Sequence, residues 1–180
     1  MKNFLKWGLI IVIVNVVLGL VGLAISNPAE ALETGEVGGA SQLIYWATNL
    51  ISIVCLFLGI KQRRDDDPGD FTFGKGWVEG TLISLIGAAF SAIWTYIFFA
   101  MISPEFLDMI RDKAIMDMQQ QQMSAEQLEQ ATSMMDMMFS PTSMAIWILI
   151  MFAVGGMILS LIFSAIVNAG NKNAGTPATA

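Results

Sequence analysis

Residues Met144 to Val167 read MAIWILIMFAVGGMILSLIFSAIV, an unbroken apolar run without one Asp, Glu, Lys or Arg. About 20 apolar residues in an α-helix cover the ~30 Å hydrocarbon core of a bilayer. Lipid offers no partner to an unpaired backbone amide, so a run of this length is a helix that satisfies its own N–H and C=O groups. Three more stretches repeat the signal. Charges are absent from residues 7–29, 37–60, 80–104 and 137–171, and the apolar cores of the first three read Trp7 to Ile25, Leu43 to Ile60 and Leu82 to Ile102.

The pattern predicts spans at about 4–25, 42–61, 78–102 and 142–168, with an outer helical insert over 103–140. At 180 residues, 55% hydrophobic and 13% charged with a mean hydropathy of +0.63, the chain reads as a single polytopic membrane domain over 1–170. The expected fold class is all-α, an integral membrane four-helix bundle with an extracytoplasmic amphipathic helical hairpin between the third and fourth spans. Residues 171–180, rich in Gly, Asn, Thr and Pro, read as a disordered cytoplasmic tail. Ser140-Pro141 supplies an N-cap and a first-turn proline for the last span, and Ser103-Pro104 does the same for the insert. Lys2, Lys6 and Ala29-Glu30-Ala31 around the first span imitate a secretory signal, but its apolar core is longer than the usual 7–15 residues.

Sidedness follows from Lys and Arg in the short loops. Lys2, Lys6, Lys61, Arg63, Arg64, Lys75 and Lys172 fall on one side, and only Arg111 and Lys113 on the other. Both termini are therefore expected in the cytoplasm, and in a bacterium the opposite face looks into the periplasm. Lys2, Lys6, Lys61, Arg63, Arg64 and Lys75 are the topology anchors. Glu30, Glu33 and Glu36, with seven carboxylates from Glu105 to Asp136, make the opposite side acidic.

Composition removes several function classes. A net charge of −6 with nine scattered Lys and Arg gives no purchase on a phosphate backbone, so no nucleic-acid partner is expected. There is no histidine, and the lone Cys55 lies in an apolar run. The commonest general base and metal ligand is thus missing, as is any CxxC site. We expect no enzyme, no cofactor and no catalytic or metal residues. Gly69 to Gly76 comes close to a G-x-x-x-x-G-K phosphate loop, but Gly76 stands where a hydroxyl is needed and no strand precedes it. Phe71, Phe73 and Trp77 read instead as aromatics at headgroup depth.

The insert carries Leu107, Ile110, Ala114 and Met118, then Leu128, Ala131, Met135 and Met138, at helical spacings of three and four. Ser124-Ala125-Glu126-Gln127 has the form of a capping box that restarts the helix. Leu107, Ile110, Met118, Leu128, Met135 and Met138 form the expected interaction surface. The Met-rich run around Met134 to Met138 raises Cu(I), which thioethers bind, yet no Cys or His accompanies it, and helix-face packing is the better account.

No charged group lies within an apolar core, and Glu79 sits in the first turn of the third span. Polar residues inside the spans, among them Asn15, Asn49, Ser52, Ser84 and Ser91, are suited to bonds between helices. Small residues mark where helices approach: Gly80, Ser84, Gly87, Ala88 and Ser91 in the third span, and Gly156, Ser160 and Ser164 in the fourth. Lipid gives apolar helices no drive to associate, so these faces predict that the third and fourth spans touch, or that they serve a homo-oligomer.

Gly59-Ile60-Lys61 with Arg63, Arg64 and Asp65, Phe71 to Gly76, Tyr96 to Phe99, Pro104 to Leu107, Ser124 to Ala131 and Ser140-Pro141 occur in an order that resembles a Bacteroidota membrane family, domain of unknown function 4199. The resemblance covers roughly Met1 to Gly170 and implies a source and a location, a bacterial inner (cytoplasmic) membrane, rather than an activity. The expected role is a non-enzymatic scaffold or accessory subunit working in the lipid bilayer with another membrane protein. The alternative is a small carrier or channel for a neutral or lipidic solute, which would act through Asn49 or Ser84.

Overall fold

The computed structural model describes residues 2–25, 39–120 and 125–174. In chain order the helices are α1 (Asn3–Ile25), α2 (Gly39–Asp66), α3 (Phe73–Ile97) with a π-helical turn at Phe98–Ile102, α4 (Pro104–Gln120), α5 (Ala125–Met138) and α6 (Pro141–Ala174). Four segments are long and apolar enough to cross a membrane: Asn3–Gly22, Gln42–Asp66, Phe73–Ile102 and Pro141–Gly170. The protein is an all-α membrane bundle with a pair of helices between its third and fourth spans.

Three boundaries run past the apolar stretches. Lys61 to Arg64 prolong α2 because such residues favour helix and their cations meet its negative C-terminal end, until Pro68 ends the run. α3 begins at Phe73, capped by Thr72, whose extended backbone (φ −129°, ψ 162°) lets its Oγ1 accept the Lys75 N–H at 3.4 Å. α6 continues to Ala174, beyond the end near 168 that composition predicts, because no proline intervenes before Pro177. At the start of α6 the Ser140 Oγ accepts the Ser143 N–H at 3.1 Å, with Pro141 as the first helical residue. The acidic loop of Glu30, Glu33 and Glu36, Ser124 of the capping-box motif and residues 175–180 lie outside the described residues.

The most extensive contact is between α3 and α6, which run antiparallel. Gly76 faces Ser164, Gly80 faces Ser160 and Ser84 faces Gly156, one pair per helical turn. Each pair sets a glycine against a serine, so the two backbones approach until neither partner has room for a larger group. The serine hydroxyls are satisfied along the way. Ser84 Oγ donates to Gly80 O at 2.9 Å, Ser160 Oγ donates to Gly156 O at 2.6 Å, and Ser164 Oγ donates across the interface to Phe73 O. In lipid such close packing is what holds two helices together.

α1 and α2 complete the bundle around Ile83, which is fully buried. A side chain at Gly59 would strike Ile83 and the Trp7 ring, and one at Gly8 would strike Ile86. Ile11, Cys55, Leu56, Ile60, Phe71, Ile83 and Val167 form one core cluster toward the basic end. Phe71, read as an interfacial aromatic, is therefore inside the protein, and it fills the space that the missing side chain of Gly76 leaves. Phe73 and Trp77 are exposed. Among the described residues four polar ties link α1 to α2: Asn3 Nδ2 to Gly59 O (2.8 Å), Lys6 Nζ (3.3 Å) and Trp7 Nε1 (2.8 Å) to Gln62 Oε1, and Asn15 Nδ2 to Ser52 Oγ (3.1 Å). The outer faces of the spans carry exposed apolar side chains such as Ile13, Leu50, Ile93, Ile150 and Ile158, as a lipid-facing surface requires.

At the far end of α3 the helix widens by one residue. Ser103 N–H bonds to Phe98 O at 2.8 Å across five residues, and Pro104 then opens α4.

Candidate functional site: a groove between the second and fourth spans

The glycine–serine pairs between α3 and α6 run as far as Ser84 and Gly156. One turn further stand the buried Ala88 on α3 and Phe152 on α6. α2 and α6 meet nearer the basic end, where the Phe57 and Phe163 rings pack edge to face with centroids 5.5 Å apart. Above that contact a groove of about 320 Å³ opens. Its α2 wall is Tyr45, Asn49, Ser52, Ile53 and Leu56, and its α6 wall is Met151, Phe152, Gly155, Gly156 and Leu159. Ile11 of α1 with Ser84 and Gly87 of α3 make the floor. Gly155 has open space where a side chain would be, whereas its neighbour Gly156 is pressed against Ser84.

The polar groups of the groove divide by availability. Ser52 Oγ is engaged twice, accepting from Asn15 and donating to Thr48 O at 2.9 Å, and the Ser84 hydroxyl is tied to Gly80 O. Asn49 donates one N–H to Tyr45 O at 2.8 Å, which leaves its second N–H and its Oδ1 among the described residues. Tyr45 is exposed, its ring against Trp46 at 5.8 Å. Among the described residues that line the groove there is no carboxylate, ammonium or guanidinium.

A second polar cluster lies at the basic end. The half-buried Glu79 carboxylate sits against the Asn3 amide and the Phe4 backbone N–H, with Arg63 nearby, and its Oε1 is buried without a hydrogen-bond partner. An acidic group there complements the positive end of α1. Neither hydropathy nor spacing pointed to this contact between the starts of α1 and α3. Beside it Asp70 pairs with Lys75 and with Arg63 (3.3 Å), and Arg64 pairs with Asp65 (2.6 Å). The Lys75 ammonium, bonded to Asp70, holds that carboxyl below the usual carboxylate range, with Arg63 assisting. Lys2 lies over the Phe4 ring, and Lys6 lies over the Trp7 ring while also donating to Gln62 Oε1 at 3.3 Å. Lys61 is exposed.

The family described as "Protein of unknown function (DUF4199)" matches residues 6–169, which include every residue lining the groove. The chain belongs to this family. No curated protein and no solved structure matches it.

In this DUF4199 chain the hairpin departs from the expected interaction surface at one residue. Leu107 is only 5% exposed. Beside it the Phe106 ring stacks on Phe99 of the π turn (6.2 Å, 10°), which fastens the start of α4 to the end of α3. Ile110, Met118 and Met135 are half-buried, Met138 is exposed, and the Leu128 side chain lies outside the described residues. The methionines turned outward are Met116, Met134, Met137 and Met138, of which the spacing argument had selected only the last. Arg111 Nε lies 3.3 Å from Asp136 Oδ1, an ion pair between α4 and α5. Of the expected packing residues outside the α3–α6 row, Gly87 faces Ile11, Ala88 is buried and Ser91 is half-buried.

Proposed function

We propose that the chain is a non-enzymatic accessory protein of a bacterial inner membrane, with both termini in the cytoplasm and the hairpin on the far side, where it engages a membrane-associated partner. The observation that carries this reading is the outward set of Met116, Met134, Met137 and Met138, each more than half exposed on the two helices between the spans. Flexible thioether side chains suit an adaptable protein contact. The asymmetry of Lys and Arg supports the orientation. The absence of histidine from the sequence supports a role without general acid–base chemistry.

Crosslinking in native membranes followed by purification in mild detergent tests the reading. One defined partner is expected to crosslink to the hairpin and to be lost when Met134 and Met137 are replaced by Glu. A chain that elutes alone after crosslinking overturns it. Reporter fusions at the two ends are expected on the same side, and opposite sides would refute the topology.

The groove favours a second reading, carriage of a neutral or lipidic solute, since Asn49 and Ser84 both line it. Liposome flux that falls on replacing Asn49 supports carriage, and flux indifferent to Asn49 and Ser84 removes it.

A further inference from the structure

We infer that the groove between α2 and α6 binds the hydrocarbon chain of a long, uncharged amphiphile whose hydroxyl or carbonyl meets Asn49. The inference deepens the second reading, on which it rests only for the class of solute.

Length, volume, polarity and charge agree. From Tyr45 to Leu56 the α2 wall extends over about 16 Å at 1.5 Å per residue. The volume of about 320 Å³ holds about ten groups the size of a water molecule at roughly 30 Å³ each. Both measures describe one chain of moderate length. Protein interiors are otherwise close-packed, and an apolar hollow is a site for an apolar guest rather than for water. Gly155 lines the groove, and a Cβ there would meet nothing within 4 Å, while the adjacent Gly156 is pressed against Ser84.

Polarity is graded along the wall. Tyr45, Asn49 and Ser52 occupy the part toward the start of α2, and Ile53 and Leu56 the part toward mid-span. Asn49, with a donor and an acceptor to spare, is the group that meets the guest's polar end.

Charge selects against a phosphate-bearing lipid. Among the described residues the lining has no cation, and the basic residues Lys2, Lys6, Lys61, Arg63, Arg64 and Lys75 lie at the opposite end of the bundle. The hairpin beyond the open end holds Glu105, Asp108, Asp112, Asp117, Glu126, Glu129 and Asp136 against Arg111 and Lys113. An anionic head there would meet net repulsion, and an uncharged one meets none.

The test uses the full chain in phosphatidylcholine nanodiscs with three photoactivatable probes that share one diazirine-bearing chain: a long-chain alcohol, the matching carboxylate and a phosphatidylcholine. The alcohol is expected to label segments containing Ile53, Leu56 and Phe152, and unlabelled alcohol is expected to compete. Gly155→Leu, which fills the groove, abolishes labelling. Asn49→Leu weakens competition about fivefold, the loss of one hydrogen bond. Equal labelling by the phosphatidylcholine probe, or labelling indifferent to Gly155→Leu at an unchanged unfolding midpoint, overturns the proposal. Should Gly155→Leu lower that midpoint, Asn49→Leu decides, and unweakened competition then overturns it. Groove labelling without liposome flux removes carriage and keeps the site. Flux without groove labelling removes the site and keeps carriage.

Discussion

Gly80 of α3 faces Ser160 of α6 so closely that a Cβ on the glycine would lie 2.6 Å from the serine Oγ and 2.7 Å from Ile60 Cδ1. Gly80→Ala must therefore push three helices apart, and overpacking of this kind costs about 1–3 kcal/mol. A lowered unfolding midpoint in mild detergent is expected. Gly155→Ala, made into open space, is expected to stay within about 0.5 kcal/mol of the parent. Equal effects at the two glycines would contradict the packing described.

Asn15 and Ser52 tie α1 to α2 inside the hydrocarbon depth at 3.1 Å. Interhelical hydrogen bonds in bundles average about 0.6 kcal/mol and reach about 1.7. A double-mutant cycle of Asn15→Leu and Ser52→Ala is expected to return a coupling in that range. No coupling would show that the two side chains do not meet.

The clamp of Asp70 on Lys75 and Arg63 predicts a pH response with a definite sign. The folded carboxyl titrates below its ordinary value of 3.8, so the clamp stabilises the folded state above that value and is lost as pH falls through the lower folded one. The stability difference between parent and Asp70→Asn is expected to be constant between about pH 5 and 8 and to vanish only in stronger acid. A difference that fades near neutrality would exclude the clamp.

Leu107 anchors the hairpin from inside, and truncating a buried leucine costs about 2 kcal/mol or more. Leu107→Ala is expected to speed proteolysis within 103–140 while leaving the spans protected. Met137→Ala, 70% exposed in the parent, is expected to change neither. Identical digestion of the two variants would place Leu107 outside the hairpin's attachment.

The sequence made the four spans readable because lipid imposes one demand, a long uncharged helix, that composition alone can meet or fail. Glycine–serine contact between α3 and α6 was readable for a related reason, since few arrangements other than close approach use small residues every fourth position. Positions decided by neighbours distant in the chain were not. Phe71 looked interfacial because its burial depends on Gly76 and on the approach of α6. Leu107 looked exposed because its spacing does not show that the start of α4 is held against the end of α3. The groove itself is bounded by residues of all four spans, from Ile11 to Leu159, and no single stretch of sequence describes it. A linear pattern shows what a residue is but not what its neighbours leave unfilled.

The π turn at Phe98–Ile102 sets the hairpin's heading. Successive α-helical residues are separated by about 100° of rotation, and a widened turn accommodates one additional residue. Everything after Ile102 is thus swung by roughly that angle relative to the lipid-facing stripe of α3. A one-residue deletion between Phe98 and Ile102 is expected to re-aim the hairpin around the bundle axis and to disturb the Phe99–Phe106 stack that fastens it. The azimuth of the outer helices is thus set by the last turn of the third span, where one inserted residue does the work of a hinge.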